Sequence, residues 1–285
     1  MYQGNRGFMT NRRGSGIGGR LIIALVFALI AVAGYFFSTQ RVENPVTGEV
    51  QRVALSPQEE IVLGLQSAPE MERAFGGLHP DQEAQALVDR IGQEIVADSA
   101  AGQTEYEYDF NLLSDSQTVN AFALPGGPIY ITAALLNALE TEGQLAGVLA
   151  HEVGHVVGRH ASEQIAKSQL VQGLTGAAVM AAYDPSNPSS AQQAQIAQMA
   201  GQLITMKYGR GDELESDRLA VRFMADAGYD PNSLVGVMTI LESASSGAQP
   251  PEFLSTHPSP DNRIERIQEA IAAEFPDGVP AGLIQ

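Results

Sequence analysis

The chain has no cysteine, and basic residues are scarce in it. Among its 285 residues, 16 are lysine or arginine and 33 are aspartate or glutamate, which gives a net charge of −17. The absence of cysteine excludes disulfides, thiol catalysis, cysteine-based zinc sites and a lipidated N-terminal cysteine. The acidic charge argues against a nucleic-acid partner, which would need a basic face. With 44% hydrophobic residues, the chain can form one large packed domain or two small ones.

Charged residues are also absent from one long stretch, residues 21–40. A helix of this length spans about 30 Å, the thickness of one hydrocarbon core. Residues 1–20 hold four arginines and no acidic residue, so the positive-inside rule places them in the cytoplasm. We therefore expect a single membrane anchor at 21–40, with the body outside the cytoplasm, in a bacterial periplasm or cell envelope. Residues 31–33 (AVA) resemble a signal-peptide cleavage site, and cleavage there would export the body as well.

Turn signals and helical periodicity divide the remaining chain. We expect 1–20 to be disordered, 41–55 to be a linker, 56–276 to form one folded domain and 277–285 to be a tail. The periodicity predicts helices over 80–98, 191–206, 212–227, 231–245 and 260–274. Strands are predicted at 106–113, 119–124 and 129–132, the last two as a hairpin. The fold class predicted is α+β, mainly helical, with one small sheet.

The motif His-Glu-x-x-His occupies residues 151–155. On a helix, His155 lies about 40° from His151 and Glu152 about 100° from it, so both imidazoles can bind one ion. Two zinc ligands followed by a general base are the signature of zincin peptidases. Thr141 and Gln144 match a capping box that begins this helix. The apolar residues of the helix lie opposite the histidines, so we expect the histidines to face a cleft.

A zinc peptidase needs a third protein ligand and one open position for water. His160 would point about 180° from His151 on a continuous helix, so we exclude it as a ligand and expect it to be packed or capping. The second candidate is the acidic segment Glu213-Leu214-Glu215-Ser216-Asp217. One of its carboxylates can bind zinc while another accepts a hydrogen bond from a zinc-binding histidine. Spacing alone does not choose between Glu213 and Glu215, and an ordinary solvated acidic face is the competing interpretation.

Taken together, the motifs resemble those of the M48 zinc metallopeptidases over most of 55–275. Four motifs occur in the order typical of that family: Asn120-Ala121-Phe122-Ala123-Leu124-Pro125-Gly126-Gly127, the zinc motif, Glu213-x-x-x-Asp217-Arg218, and Phe253-Leu254-Ser255-Thr256-His257-Pro258 followed by Arg263. The single membrane segment, and a chain that ends soon after the last helix, favour the BepA/LoiP/Oma1-like branch without its helical-repeat extension.

The resemblance implies a zincin-like (gluzincin) domain that binds one Zn²⁺ through His151, His155 and Glu213. It implies that Asp217 is the hydrogen-bond partner of a zinc-binding histidine and that Glu152 is the general base. It places His257 near the zinc, where it would stabilise the oxyanion or fill the open zinc position in a resting state. Substrate would pair with the edge strand formed by Asn120, Ala121, Phe122 and Ala123. Ordinary core packing of Phe122 and a structural role for His257 are the alternatives.

The function predicted is zinc-dependent hydrolysis of peptide bonds in misfolded or envelope proteins. One alternative is a chaperone-like, metal-bearing protein that binds clients with little or regulated proteolysis, and the intact Glu152 counts against it. A zinc hydrolase of small amides is a second alternative. A third is a latent peptidase in which residues 183–206, rich in proline, serine and glutamine, cover the cleft as a mobile lid.

Overall fold

The structure is a computed structural model that describes residues 17–179, 207–245, 251–258 and 262–285. By its internal contacts the chain divides into a large unit, residues 39–167 with 186–285, and a small unit, residues 1–38 with 168–185. The described parts of the small unit are helical. Among the described residues, none of the helices is long and apolar enough to cross a membrane. The anchor at 21–40 therefore stays a prediction from the sequence.

Helices make up most of the described chain. Their bounds are α1 Ile17–Ser38, α2 Pro57–Ala74, α3 Gln82–Asp98, α4 Ala133–Leu136, α5 Glu142–Val157, α6 His160–Val179, α7 Arg210–Asp226, α8 Asn232–Ser245, α9 Phe253–Thr256 and α10 Arg263–Glu274. The helices predicted over 80–98, 212–227, 231–245 and 260–274 correspond to α3, α7, α8 and α10. The helix predicted over 191–206 and the proposed lid over 183–206 lie outside the described residues.

Two small sheets accompany the helices. Strands β1 (Gln40–Glu43) and β2 (Val50–Val53) form an antiparallel hairpin. Strands β3 (Asp109–Leu113), β4 (Ala121–Ala123) and β5 (Pro128–Thr132) form a second sheet in the order β3-β5-β4. The predicted hairpin over 119–132 is confirmed, because β4 and β5 pair antiparallel. The first predicted strand is shorter than 106–113, because its parallel partner β5 begins only at Pro128, which pairs with Asp109.

The segment predicted as a linker, 41–55, contains the β1–β2 hairpin instead. Its turn residues, which are also typical of an irregular connection, form the turn of the hairpin. Asn44 accepts backbone N–H bonds within that turn, and its Nδ2 donates to Val157 O at 2.7 Å. Gln51 Nε2 donates to Gly158 O. The hairpin thus satisfies carbonyl groups at the end of α5 that have no partner within the helix.

Helix α5 lies at the centre of the large unit. Thr141 caps its first turn, because the Thr141 hydroxyl accepts the backbone N–H of Gln144. Gln144 does not complete the predicted reciprocal bond, since its Oε1 accepts the N–H of Glu140 instead. Every residue from Gly143 to Val157 is buried. The hydrophobic core therefore surrounds the helix that carries the zinc motif, and α3, α7 and α8 pack against it.

Candidate metal centre

Four buried side chains place possible ligand atoms for a metal ion within 4.8 Å of one another. His151 and His155 lie one turn apart on α5, Glu213 lies in the first turn of α7, and His257 follows α9. Each of the four is at most 2% exposed. The structure therefore brings together the three predicted ligands and the late-motif histidine, although 106 residues separate the first from the last.

The distances within this cluster suit one ion. His155 Nε2 lies 3.0 Å from His151 Nε2. The two carboxylate oxygens of Glu213 each lie 3.5 Å from one of these nitrogens. Ligand atoms around a tetrahedral ion with bonds of about 2.1 Å are about 3.4 Å apart. The Nε2 atoms thus face the shared centre, and the Nδ1 atoms of both rings point away from it.

Neighbouring elements pack on the histidine face of α5, and a cavity lined by His155, Tyr208 and Ala123 lies beside it. Helix α7 approaches closely where Gly154 has no side chain, since a Cβ there would lie 3.1 Å from Ser216 Cα. Tyr208 stacks on the His155 ring with 3.9 Å between ring centroids. Periodicity locates the apolar stripe of a helix, but it does not show what packs on the opposite side.

Asp217 contacts the Nδ1 atom of His151, on the side of the ring away from the metal centre, and Arg263 binds Asp217. His151 Nδ1 lies 3.0 Å from Asp217 Oδ1, the distance of a hydrogen bond. Arg263 binds Asp217 through two parallel bonds of 2.8 Å, and its Nη2 lies 3.2 Å from Glu213. A carboxylate on the second nitrogen of a ligand histidine fixes its tautomer and its ring orientation. The structure places Asp217 beside His151 and Arg263 beside Asp217.

Glu152 lies beside the cluster with both oxygens free of hydrogen bonds to any described residue. Its Oε1 is 3.6 Å from His257 Nε2, which is longer than a hydrogen bond. Burial raises the pKa of Glu152, although the nearby His257 partly opposes the shift. A buried carboxylate with a raised pKa and no partner is suited to accept a proton and release it again.

His257 faces the same centre as the three predicted ligands. Its Nδ1 lies 3.1 Å from Glu213 Oε1 and 3.2 Å from His155 Nε2. The ring stacks on Phe253 with 4.4 Å between centroids, and Phe253 is itself buried in the core. His257 is therefore held in place from its own short helix, α9, and its position is that of a possible fourth ligand.

The cluster is strongly coupled electrostatically. Burial alone would lower the pKa of His151, but the carboxylates of Asp217 and Glu213 outweigh burial and raise this pKa to about 9. Burial lowers the pKa of His155 well below its usual value. Burial would raise the pKa of Glu213, yet His257 and His151 hold it well below the usual range. The charge state of His151 thus depends on the two carboxylates beside it.

The charges and the unpaired atoms of this site fit a divalent cation. The carboxylates of Glu152, Glu213 and Asp217 lie around the centre with one guanidinium, that of Arg263. Buried polar atoms normally form hydrogen bonds, yet within the described chain Glu213 Oε2 and His257 Nε2 form none. Two imidazoles, a carboxylate and a further imidazole form a nitrogen and oxygen donor set that zinc accepts.

The predicted substrate strand forms the edge of the sheet beside α5. Phe122 packs between Tyr130 and Phe75, with ring centroids 5.2 Å from each, so its side chain belongs to the core, as the alternative interpretation held. Ala121 and Ala123 are buried as well. Asn120 is buried, and its Oδ1 has no partner among the described residues.

Comparison with known proteins identifies this arrangement. The sequence profile described as peptidase family M48 matches residues 82–271, more than half of the chain. The chain belongs to peptidase family M48. The membership confirms the resemblance drawn from the four motifs and, with the observed helices and sheets, the zincin-like, mainly helical α+β fold class.

Over the aligned residues, this chain is 27% to 30% identical to three curated M48 relatives. The beta-barrel assembly-enhancing protease of Yersinia pestis is 30% identical over 226 residues, which cover 77% of this chain and 45% of the relative. The same-named protein of Escherichia coli K12 is 27% identical, covering 86% of this chain and 50% of its own length. The mitochondrial metalloendopeptidase OMA1 of Schizosaccharomyces pombe is 29% identical, covering 85% and 70%. This chain therefore spans about half the length of the bacterial relatives.

The sequence does not reveal every side chain of this M48 site. Tyr208, which stacks on His155, lies between two predicted helices, and no sequence signal marks it. Arg263 was noted only as part of the late motif, although an arginine within the apolar stripe of α10 indicates a buried ion pair. His160 is packed, as predicted, but its partners are His155 and Glu215.

Proposed function

We propose that this M48 protein is a zinc metalloendopeptidase of the cell envelope that hydrolyses peptide bonds of misfolded or envelope proteins. The observation that carries the proposal is the joint geometry of His151, His155 and Glu213 beside an unpaired Glu152. A chaperone-like client binder would not need a buried carboxylate without partners next to a metal site. No observation favours that alternative or a small-amide hydrolase.

In the proposed mechanism, His151, His155 and Glu213 bind zinc. Zinc at such a site polarises the scissile carbonyl and makes a water molecule more acidic. Glu152 takes a proton from the attacking water and passes it to the leaving amine. Asp217 keeps the proton of His151 on Nδ1 and thereby keeps Nε2 free to bind the metal. Arg263 holds Asp217 in position and balances its charge.

Strand β4 is the proposed binding site for the substrate backbone. Two backbone hydrogen bonds flank the strand on its β5 side. Thr132 N–H donates to Asn120 O, and Leu124 N–H donates to Pro128 O. In an antiparallel ladder every second residue bonds to the same neighbour, so Ala121 and Ala123 direct their backbone groups away from β5. An extended peptide could pair with these groups as an added strand. The unpaired Asn120 Oδ1 lies at the start of this strand and would accept a hydrogen bond from substrate.

We propose that His257 binds zinc in the resting state and assists catalysis when substrate is present. Its Nδ1 lies within hydrogen-bond distance of Glu213 and His155, which supports occupation of the fourth zinc position in a resting state. When substrate displaces it, the imidazole would lie next to the reacting carbonyl and could stabilise the oxyanion.

Attachment of the catalytic unit to a membrane rests on the sequence of residues 1–40. The charge-free stretch after four arginines supports one anchor with the catalytic unit outside the cytoplasm. A fusion of alkaline phosphatase after residue 55 tests the orientation, because this enzyme folds only after export. An active fusion in the membrane fraction is expected, and an inactive fusion would contradict the proposed location.

The first prediction concerns Glu152. The full chain carrying Glu152→Gln should retain zinc and lose cleavage of unfolded casein by about 10²- to 10⁴-fold, because a general base contributes this much. Zinc content is measured by atomic absorption and cleavage by peptide release, with and without a chelator. The matched control is Glu142→Gln, the same substitution at an exposed position of the same helix, which should leave cleavage unchanged. Wild-type cleavage by Glu152→Gln, or cleavage that survives chelation, would overturn the mechanism.

A further inference from the structure

The Nδ1 atom of His155, which faces away from the metal centre, contacts the imidazole of another histidine, His160. His155 Nε2 faces the metal centre, and its Nδ1, on the outer side, lies 2.9 Å from His160 Nδ1. His160 Nε2 lies 3.3 Å from Glu215 Oε2. His160 is 1% exposed and Glu215 is 7% exposed, so this chain of contacts is shielded from water. His155, His160 and Glu215 are called the His155 relay below.

The backbone between α5 and α6 turns His160 towards the metal centre. Arg159 has φ 55°, in the left-handed region that non-glycine residues rarely adopt. Its guanidinium holds this turn by pairing with the buried Glu60 at 3.0 Å and by donating to Leu55 O at 2.6 Å. At Gly158 a Cβ would lie 2.5 Å from His160 Nε2. The interruption of the helix at Arg159, the ion pair between Arg159 and Glu60, and the absence of a side chain at Gly158 together place the His160 ring against His155.

The hydrogen atoms of the His155 relay can be ordered in one way when His155 binds zinc. A neutral imidazole has one donor and one acceptor nitrogen. With Nε2 on the metal, His155 carries its proton on Nδ1 and donates it to His160 Nδ1. His160 must then carry its own proton on Nε2, where Glu215 accepts it. Ser216 Oγ lies 3.3 Å from His160 Nδ1, a longer contact to the same nitrogen.

We propose that His160 and Glu215 are positioning residues that fix the tautomer and ring orientation of His155 and so strengthen zinc binding. The inference rests on the proposed function, because it assumes that His155 is a zinc ligand. His151 reaches a carboxylate directly, at Asp217, and His155 reaches one through a second imidazole. Three of the acidic residues of α7 thus have separate tasks: Glu213 binds metal, Asp217 holds His151 and Glu215 holds His155 through His160.

The proton order is tested in the wild-type chain without any substitution. The ¹⁵N NMR shifts of the zinc-loaded protein report which nitrogen of each histidine carries a proton. The expected result is His155 protonated on Nδ1 and His160 protonated on Nε2 alone. A proton on Nδ1 of His160 would remove the acceptor for His155 and overturn the proposal.

Zinc affinity tests the effect of the His155 relay. Competition with a chromophoric chelator should give a zinc dissociation constant about 10- to 100-fold higher for His160→Ala, as for other partners of metal-binding histidines. Glu215→Gln keeps an acceptor but removes the charge, so its effect should be smaller than that of Glu215→Ala. The absorption spectrum of the Co²⁺-loaded protein should shift in His160→Ala, because the His155 ring loses its fixed orientation.

The control is His79→Ala, which removes a histidine outside the cluster and should leave affinity and spectrum unchanged. If wild-type protein binds no zinc, the proposed function fails. If it binds zinc and both His160→Ala and Glu215→Ala match it in affinity and Co²⁺ spectrum, the His155 relay is refuted and the function stands. Should His160→Ala not fold, the graded Glu215 variants and the wild-type NMR spectrum decide the question.

Discussion

At the scale of single residues, Arg263 pairs with two buried carboxylates of the metal centre. Its guanidinium is 2% exposed, pairs with Asp217 through two bonds and lies close to Glu213. A planar guanidinium matches a carboxylate in this way, which an ammonium group cannot do. Without it, the negative charge of Asp217 would be buried beside that of Glu213, and burial of an unpaired charge is costly.

We therefore predict that Arg263→Met lowers the free energy of unfolding by about 3–5 kcal/mol, because it removes the arginine partner of a buried carboxylate. Urea denaturation of metal-free protein, followed by circular dichroism, measures this loss. The matched control is Arg266→Met, which removes an exposed arginine of the same helix that pairs with Glu269. Its expected cost is below about 1 kcal/mol, and equal losses in both variants would refute this account of Arg263.

At the scale of elements, the turn between β4 and β5 fixes the edge strand against α2. Gly126 has φ 80°, and a Cβ there would lie 2.3 Å from Ile61 Cα. Backbone atoms cannot move aside as a flexible side chain can. The proposed substrate strand therefore has its position set by contact between a turn and a helix backbone.

Gly126→Ala should accordingly destabilise the protein in two ways, by backbone strain at positive φ and by overpacking against α2. Gly77→Ala is the matched control, because Gly77 has φ 82° and nothing within 4 Å of its Cβ position. Strain alone costs about 1 kcal/mol, and overpacking adds about 1–3 kcal/mol. The difference between the two melting curves isolates the second contribution. Casein cleavage should also fall further in Gly126→Ala, and equal behaviour would contradict a fixed strand.

At the scale of the whole molecule, the metal centre joins distant parts of the chain. Helix α5, helix α7 and the segment after α9 each supply at least one side chain, and α10 supplies Arg263. An ion bound there would connect elements that are otherwise held by packing and by charge pairs. Binding to the folded state alone raises stability by mass action.

Zinc removal should thus destabilise the fold. At a free zinc concentration of 1,000 times the dissociation constant, the gain in unfolding free energy should be about 4 kcal/mol, visible as a higher melting temperature than in excess chelator. Mg²⁺ is the control, because it prefers oxygen ligands and an octahedral site, and it should give little gain. A melting temperature insensitive to chelator would argue against a metal ion at this centre.

Spacing within one helix made part of the site predictable. His151, Glu152 and His155 follow from helical geometry, and the structure places them as that geometry requires. The choice between Glu213 and Glu215 did not follow, because it depends on how α7 crosses α5. The break in the helix at Arg159 is not predictable, since arginine rarely adopts positive φ. The direction of His160 therefore does not follow from the geometry of one continuous helix.

The small residue at position 154 has a consequence for the choice of metal. Glycine lets the backbones of α5 and α7 approach until a Cβ at this position would be 3.1 Å from Ser216. Two of the three proposed ligands belong to one of these helices and the third belongs to the other. A side chain at position 154 would therefore push the two helices apart and move His151 and His155 away from Glu213. The spacing of the proposed ligands thus depends on a residue that offers no ligand atom of its own.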